Sequence, residues 1–229
     1  MAKLTGLLST YYDLPLLQGR LDNLIGQKID EVVVIAERGS EEVRVIKNWR
    51  KDHRWWNEFK FIYTQGVPTL YDAWNQGIAI SSGEYLTNIN TDDRLYPGAL
   101  QKMIDILDND PDIGVVYPDV HRVGEIDGEP FGTFEWAEGD LAVLLRGCFL
   151  GPMPMWRKSL HDEYGLFDAS YHSSGDYNFW LRLAAGGVKF KRIPEPLGAY
   201  FDRAESIEHR EPLRTIWETA RSRGLHRER

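Results

Sequence analysis

Carboxylates stand at four places where their spacing suits chemistry on a phosphate-bearing substrate. The first is Asn88-Ile89-Asn90-Thr91-Asp92-Asp93. Adjacent carboxylates repel each other unless a cation lies between them, and hard oxygen ligands suit Mg2+ or Mn2+, which also hold a diphosphate. A solvated acidic turn accounts for the same residues. The second is Ser173-Ser174-Gly175-Asp176-Tyr177-Asn178, where Asp176 opens a helical pattern. It reads either as an N-cap carboxylate or as a general base at the mouth of a cleft. The third is Glu37-Arg38-Gly39-Ser40. Glu37 can accept hydrogen bonds from a nucleobase, or the segment is a turn whose Ser40 caps the next helix. The fourth is Tyr71-Asp72-Ala73-Trp74-Asn75-Gln76-Gly77. Helical spacing puts Asp72 and Asn75 on one face with Gln76 beside them, and a merely solvated face fits equally.

These residues need elements to position them. Leu4–Thr10, Glu31–Ala36, Phe59–Tyr63 and Tyr85–Asn90 read as strands, and the β-branched run EVVVIA is typical of a buried parallel one. Helical patterns alternate with them at Leu14–Gly26, Ser40–Lys51, Leu70–Ser81 and Pro97–Leu107, with Pro in the first turn of the last. Gly114–Tyr117 closes the series. This alternation predicts a doubly wound, mostly parallel α/β sheet. Ligands of such sheets bind outside the carboxyl ends of the strands, where Glu37 and Asn90–Asp93 fall.

The second half is less regular. Val120–Trp136 reads as a hairpin or an excursion, and Gly147–Arg157 as extended, with Gly151-Pro152-Met153-Pro154 too irregular for a central strand. Asp176–Ala185 is a short helix, Val188–Ile193 a strand and Glu211–Arg223 a charged terminal helix, followed by a frayed tail over Leu225–Arg229.

Composition narrows the chemistry. The 229 residues, 42% hydrophobic, suit one substantial domain. A net charge of −8 repels phosphate backbones and argues against a nucleic-acid partner. Cys148 is alone, so no intrachain disulfide forms and a reducing, cytoplasmic setting is expected. No run approaches the roughly 20 apolar residues of a membrane span, which leaves peripheral membrane contact open. Most of the eight tryptophans are expected in the core, with Trp156 and the segment Gly151–Met155 shaping an acceptor side. There is no paired His/Cys spacing for zinc, no G-x-S-x-G elbow and no Walker loop, and His53, His121 and His161 lack an evident partner.

In chain order, LTGLLSTYYD, DEVVVIAERGSEE, QGVPTLYDAWNQGIAISSGEYLTNINTDDRLYPGAL and the segment from MWRKSL to PLGAY, which contains DYNFWLRLA, resemble the family 2 glycosyltransferases. The likeness runs from about Leu4 to Tyr200 and is most specific over Tyr71–Leu100. It implies a GT-A fold, a Rossmann-like sheet with a small antiparallel extension. It further implies a nucleoside-diphosphate sugar donor, a divalent cation (Mn2+ or Mg2+) and inversion at the anomeric carbon.

Carried over by motif, Asp92 and Asp93 fall in the metal and diphosphate region and Asp176 on the base. Thr10 and Glu37 fall in the nucleobase pocket, with Asp72 and Asn90 also on the donor side. Asn90 replaces the first Asp of the family's D-x-D, Glu37-Arg38 replaces Asp-Asp, and Gly175 replaces an acidic residue. The expected division is a nucleotide-sugar half over 1–119, an acceptor and catalytic half over 120–204, and a terminal helix and tail over 205–229. The expected acceptor is a glycan or lipid-linked hydroxyl in polysaccharide or glycolipid biosynthesis. The rival readings are a non-catalytic sugar-nucleotide-binding subunit and a sugar nucleotidyltransferase. The second normally needs a glycine-rich loop after the first strand, which Ser9-Thr10-Tyr11-Tyr12-Asp13 does not supply.

Overall fold

The computed structural model describes residues 3–11, 14–53, 58–65, 69–203 and 210–226. Tyr12, Asp13 and tail residues 227–229 lie outside the described residues. The elements are β1 (Leu4–Thr10), α1 (Leu14–Asn23), β2 (Glu31–Glu37), α2 (Glu41–Asp52), β3 (Glu58–Thr64), α3 (Leu70–Ile80), β4 (Tyr85–Asn88), β5 (Arg94–Leu95) and α4 (Ala99–Asn109). They continue with β6 (Ile113–Val123), β7 (Pro130–Phe134), α5 (Leu141–Leu144), β8 (Met155–Arg157), α6 (Leu160–Tyr164), α7 (Gly175–Ala185), β9 (Lys189–Phe201) and α8 (Pro212–His226).

The strands form one sheet in the order β3-β2-β1-β4-β8-β6-β9-β5, with β7 paired to β6. β3, β2, β1 and β4 are mutually parallel. Successive residues of a strand face opposite sides, and here both sides are covered. Val32, Val34, Leu4 and Leu8 join one apolar cluster with α1, α2 and α4. Val33, Ile35 and Leu7 join the other with Trp74, Trp156, Phe179 and Trp180. A sheet buried on both faces explains why EVVVIA is apolar without alternating. Helix starts follow local rules: Thr69 Oγ1 accepts from Asp72 N at 3.1 Å at the start of α3, and Ser40 caps α2.

Three features depart from the sequence reading. The stretch before β8 is irregular as expected, but Met155–Arg157 is a central strand, antiparallel to both β4 and β6. The antiparallel part is therefore not only an extension at the edge. β9 is twice the expected length, and its prolines are accommodated where its register against β6 slips near Pro118 and Asp119. Finally, α7 begins at Gly175 after Ser174, so Asp176 lies inside the first turn and is not the N-cap residue. The extra length of β9 matters, because its end carries Tyr200, Asp202 and Arg203 back toward the loop after β4.

Candidate active site

A cavity of about 710 Å3 opens where the parallel strands end. Its floor is Ser9 from β1 and Asn90, Thr91 and Asp92 after β4. One wall is Leu70, Tyr71 and Trp74 of α3, and another is Asp176 and Tyr177 of α7 with Ser173 and Ser174 before it. The far side is the hairpin and β9, through Arg122, Phe134, Trp136, Tyr200 and Arg203.

Asp176 is half-buried at the start of α7, where the helix dipole favours a negative charge. Tyr71 Oη donates to its Oδ1 at 3.1 Å. Burial and the facing carboxylate push the Tyr71 phenol well above its usual pKa, so it keeps its proton and serves as a donor. The contact depends on Gly175, because a Cβ there would stand 2.6 Å from the Tyr71 ring. Glycine at this position thus leaves room for the Tyr71 ring beside Asp176.

Read from the sequence, Asp92 and Asp93 share one role; the structure separates them. Asp92 lines the cavity and pairs with Arg203 at 2.9 Å. Asp93 is 2% exposed and lies beneath the floor, with its Oδ2 accepting from Asn90 Nδ2 at 2.9 Å. Its Oδ1 has no close hydrogen-bond partner among the described residues. Burial, and then the like charge of Asp92, raise the Asp93 pKa, opposed by the Asn90 amide, Arg20 and the Phe201 backbone N–H. Arg20 is itself buried, donating to the Asp93 carbonyl at 3.2 Å and to Asn23 Oδ1 at 2.9 Å.

Three further expected donor residues do not line this cavity. Thr10 is 3% exposed at the end of β1, and its Oγ1 has no partner among the described residues. Glu37 ends β2 beside Thr64 of β3, ahead of a turn whose Gly39 takes a φ of 79°. Asp72 accepts from Gln76 one turn along α3, at 3.0 Å. Asn75 ties α3 to Phe167 in both directions, donating to its carbonyl at 2.8 Å and accepting from its N–H at 3.0 Å.

The acceptor-side expectation divides in the same way. Gly151 and Pro152 line the cavity, but Trp156 is fully buried and its indole N–H donates to His161 Nε2 at 2.9 Å. His161 also contacts the Gly165 carbonyl and stacks on Phe179, and burial lowers its pKa to about 4. His121 meets the Tyr96 hydroxyl at 2.7 Å and His53 the Trp49 carbonyl at 2.9 Å. His53, His121 and His161 thus each meet a partner within the fold. Sequence reasoning missed Tyr71 and Arg203. Tyr71 stands inside a quoted motif, but only the contact at Gly175 marks it, and Arg203 follows a strand whose length was misread.

The family model for Glycosyl transferase family 2 matches residues 7–165. The chain belongs to that family. A glycosyltransferase of Bacillus subtilis, YwdF, is 28% identical over 135 residues, covering 53% of this chain and 46% of the relative. A glycosyltransferase of Methanocaldococcus jannaschii, MJ1057, is 24% identical over 185 residues, covering 79% and 58%. The chain thus spans about half the length of these relatives.

Among solved structures, residues 1–349 of S. aureus TarS in complex with UDP-GlcNAc superpose with a TM-score of 0.78 at 15% identity, covering 98% of this chain and 66% of that one. A mannosyltransferase of Pyrobaculum calidifontis in complex with GDP-Man and Mn2+ gives 0.74 at 16% identity, covering 96% and 63%. The fold of this family member is therefore GT-A, a mixed sheet of mostly parallel strands with some antiparallel ones. No described helix is long and apolar enough to cross a membrane.

Proposed function

We propose that the chain is an inverting glycosyltransferase that moves a sugar from a nucleoside diphosphate to an acceptor hydroxyl. The observation that carries this reading is one cavity lined by both Asp92 at the strand ends and Asp176 on the opposite wall. Residues 1–119 supply the donor side, and residues 120–204 with α8 close the acceptor side.

A cation fits the residues present. Asp92 faces the cavity, and the buried Asp93 carboxylate just below has an oxygen, Oδ1, with no close hydrogen-bond partner among the described residues. The described residues hold no group of three or more acidic, His or Cys ligands. One or two carboxylates completed by substrate phosphates is, however, the usual way Mg2+ is held. Asp92 would be the ligand at the cavity, with Asp93 behind it. When bound, such an ion neutralises charge on the departing diphosphate.

The chain's own residues account for the rest of the reaction. Arg203 presents a guanidinium in the same cavity, suited to diphosphate oxygens. Tyr71 donates to one oxygen of Asp176 and orients the carboxylate in the cavity wall. Asp176 takes the acceptor's proton as its oxygen bonds to the anomeric carbon, the bond from that carbon to the diphosphate oxygen breaks, and the nucleoside diphosphate leaves. Holding both substrates in one cavity supplies much of the acceleration.

A thermal-shift screen of UDP and GDP with Mn2+, followed by hydrolysis assays with the corresponding sugar nucleotides, tests the reading. The expected result is stabilisation by one nucleotide and slow hydrolysis of its sugar derivative. Tight nucleotide binding with neither hydrolysis nor transfer would instead leave a binding subunit.

A further inference from the structure

The catalytic wall of the cavity is held in place by a helix that contributes little to the sheet. α8 presents Thr215, Glu218 and Ser222 on one face, at spacings that align side chains along a helix. Glu218 is 2% exposed. Its carboxylate accepts three consecutive backbone N–H groups, from His172 at 2.9 Å, Ser173 at 2.9 Å and Ser174 at 3.0 Å. The Ser173 hydroxyl adds a fourth bond at 3.2 Å. On either side, Thr215 Oγ1 donates to Ser173 Oγ at 3.0 Å and Ser222 Oγ to Tyr171 Oη at 3.0 Å.

Three successive N–H groups converging on one anion form a concave site that only a negative charge satisfies. Burial opposes that charge, but the backbone donors of Ser173, His172 and Ser174 outweigh it and hold the carboxyl below its ordinary pKa. Two residues after Ser174 comes Asp176. Thr215 and Thr219 of α8 also line the cavity beside Ser173 and Ser174.

We infer that Glu218 is a positioning residue for transfer: by fixing residues 172–174 it sets where Asp176 enters the cavity. The inference rests on the reading of Asp176 as the base. Glu218 touches no reacting atom; it acts through the loop. Without its charge the three N–H groups lose their common acceptor, and the start of α7 is free to shift while the donor floor, on β1 and β4, stays in place.

Glu218→Gln keeps the side chain's size, removes its charge and sets an amide N–H2 against the backbone donors. The probe is the sugar nucleotide, UDP-GlcNAc or GDP-mannose, that the wild type hydrolyses faster with Mn2+. The expected result is a kcat at least tenfold lower with the donor KM within twofold, and faster amide exchange confined to the peptide around 172–174. Glu218→Asp, which keeps the charge, is expected to recover part of kcat, and it carries the comparison if the Gln variant folds poorly. Asp176→Asn runs in parallel: a fully active Asn variant sinks the reading of the base, whatever Glu218 does. If Asp176→Asn is inactive while a folded Glu218→Gln enzyme keeps wild-type kcat despite deprotected 172–174 amides, the positioning role is overturned.

Discussion

The proposed nucleotide side and the proposed catalytic side of this molecule are built by different means. On the nucleotide side β3, β2, β1 and β4 are joined by parallel ladders, and residues such as Leu7, Leu8, Val33 and Val34 are sealed between helices on both faces. On the catalytic side the segment from Tyr171 to Asp176 has no ladder. It is tied down by side chains arriving from distant parts of the chain: Tyr71 from α3, and Glu218 and Ser222 from α8. Loss of one apolar member on the first side lowers stability but displaces no reacting group. A loop held by a few charged or hydroxyl groups shifts when one of them is lost, so damage on the second side is expected to appear in the reaction before it appears in the fold.

The sharpest break in that contrast is Asp176→Asn. Its expected loss of transfer is roughly 10²- to 10⁴-fold, with melting temperature and nucleotide affinity near wild type. Rates, affinity and melting measured on one preparation check it, and near-normal transfer would remove Asp176 from the chemistry.

Leu8→Ala tests the other side. Leu8 is fully buried, so the expected cost is about 2–5 kcal/mol of unfolding free energy by urea titration, with kcat little changed while the protein stays folded.

A third prediction concerns acid. His161 is neutral in the fold, with a pKa lowered by burial to about 4 against about 6.5 when unfolded. Its contribution to stability is complete above pH 6.5 and is lost as pH falls toward 4, by on the order of 3 kcal/mol. Urea titrations across that window should show the decline, and His161→Gln should flatten it.

The smallest effect is expected for Tyr71→Phe. Removing one hydrogen bond to a charged group costs about 1.5–3 kcal/mol at most, and a tenfold loss of kcat corresponds to about 1.4 kcal/mol. The expectation is a loss of about tenfold with donor KM retained, read by steady-state kinetics.

The same contrast explains what was legible beforehand. Elements of the proposed nucleotide side announce themselves through local signals, the run EVVVIA and the cap Ser40, although Pro97, expected in the first turn of α4, stands before its N-cap Gly98. Their bounds match the sequence reading within a few residues. Asn90, Asp92 and Asp176 were placed by motif order, and all three do line one cavity.

What was not legible depends on contacts between residues far apart. Nothing local to Asp92 and Asp93 says that one faces the cavity and the other lies beneath it. Glu218 looks like any helical glutamate until the segment before α7 folds onto it. β8 has three residues and β5 two, too short for periodicity to register, and the prolines of β9 hid its true length.

β8 has a consequence for how the chain acquires this structure. It lies between β4 and β6, and Tyr85 of β4 meets Arg157 about 70 residues later. Until Met155–Arg157 emerge, β4 is an open edge, and at ribosomal speeds of roughly 5–20 residues per second that exposure lasts several seconds. The two parts of the sheet cannot join before this seam closes, and closing it requires contacts of long sequence separation, which form slowly. The cavity lies across the same seam, with Asn90–Asp92 on one side and Asp176 on the other. Its assembly is therefore among the last events of folding, and the nascent first half is the stage at which this chain is most exposed to edge-to-edge aggregation.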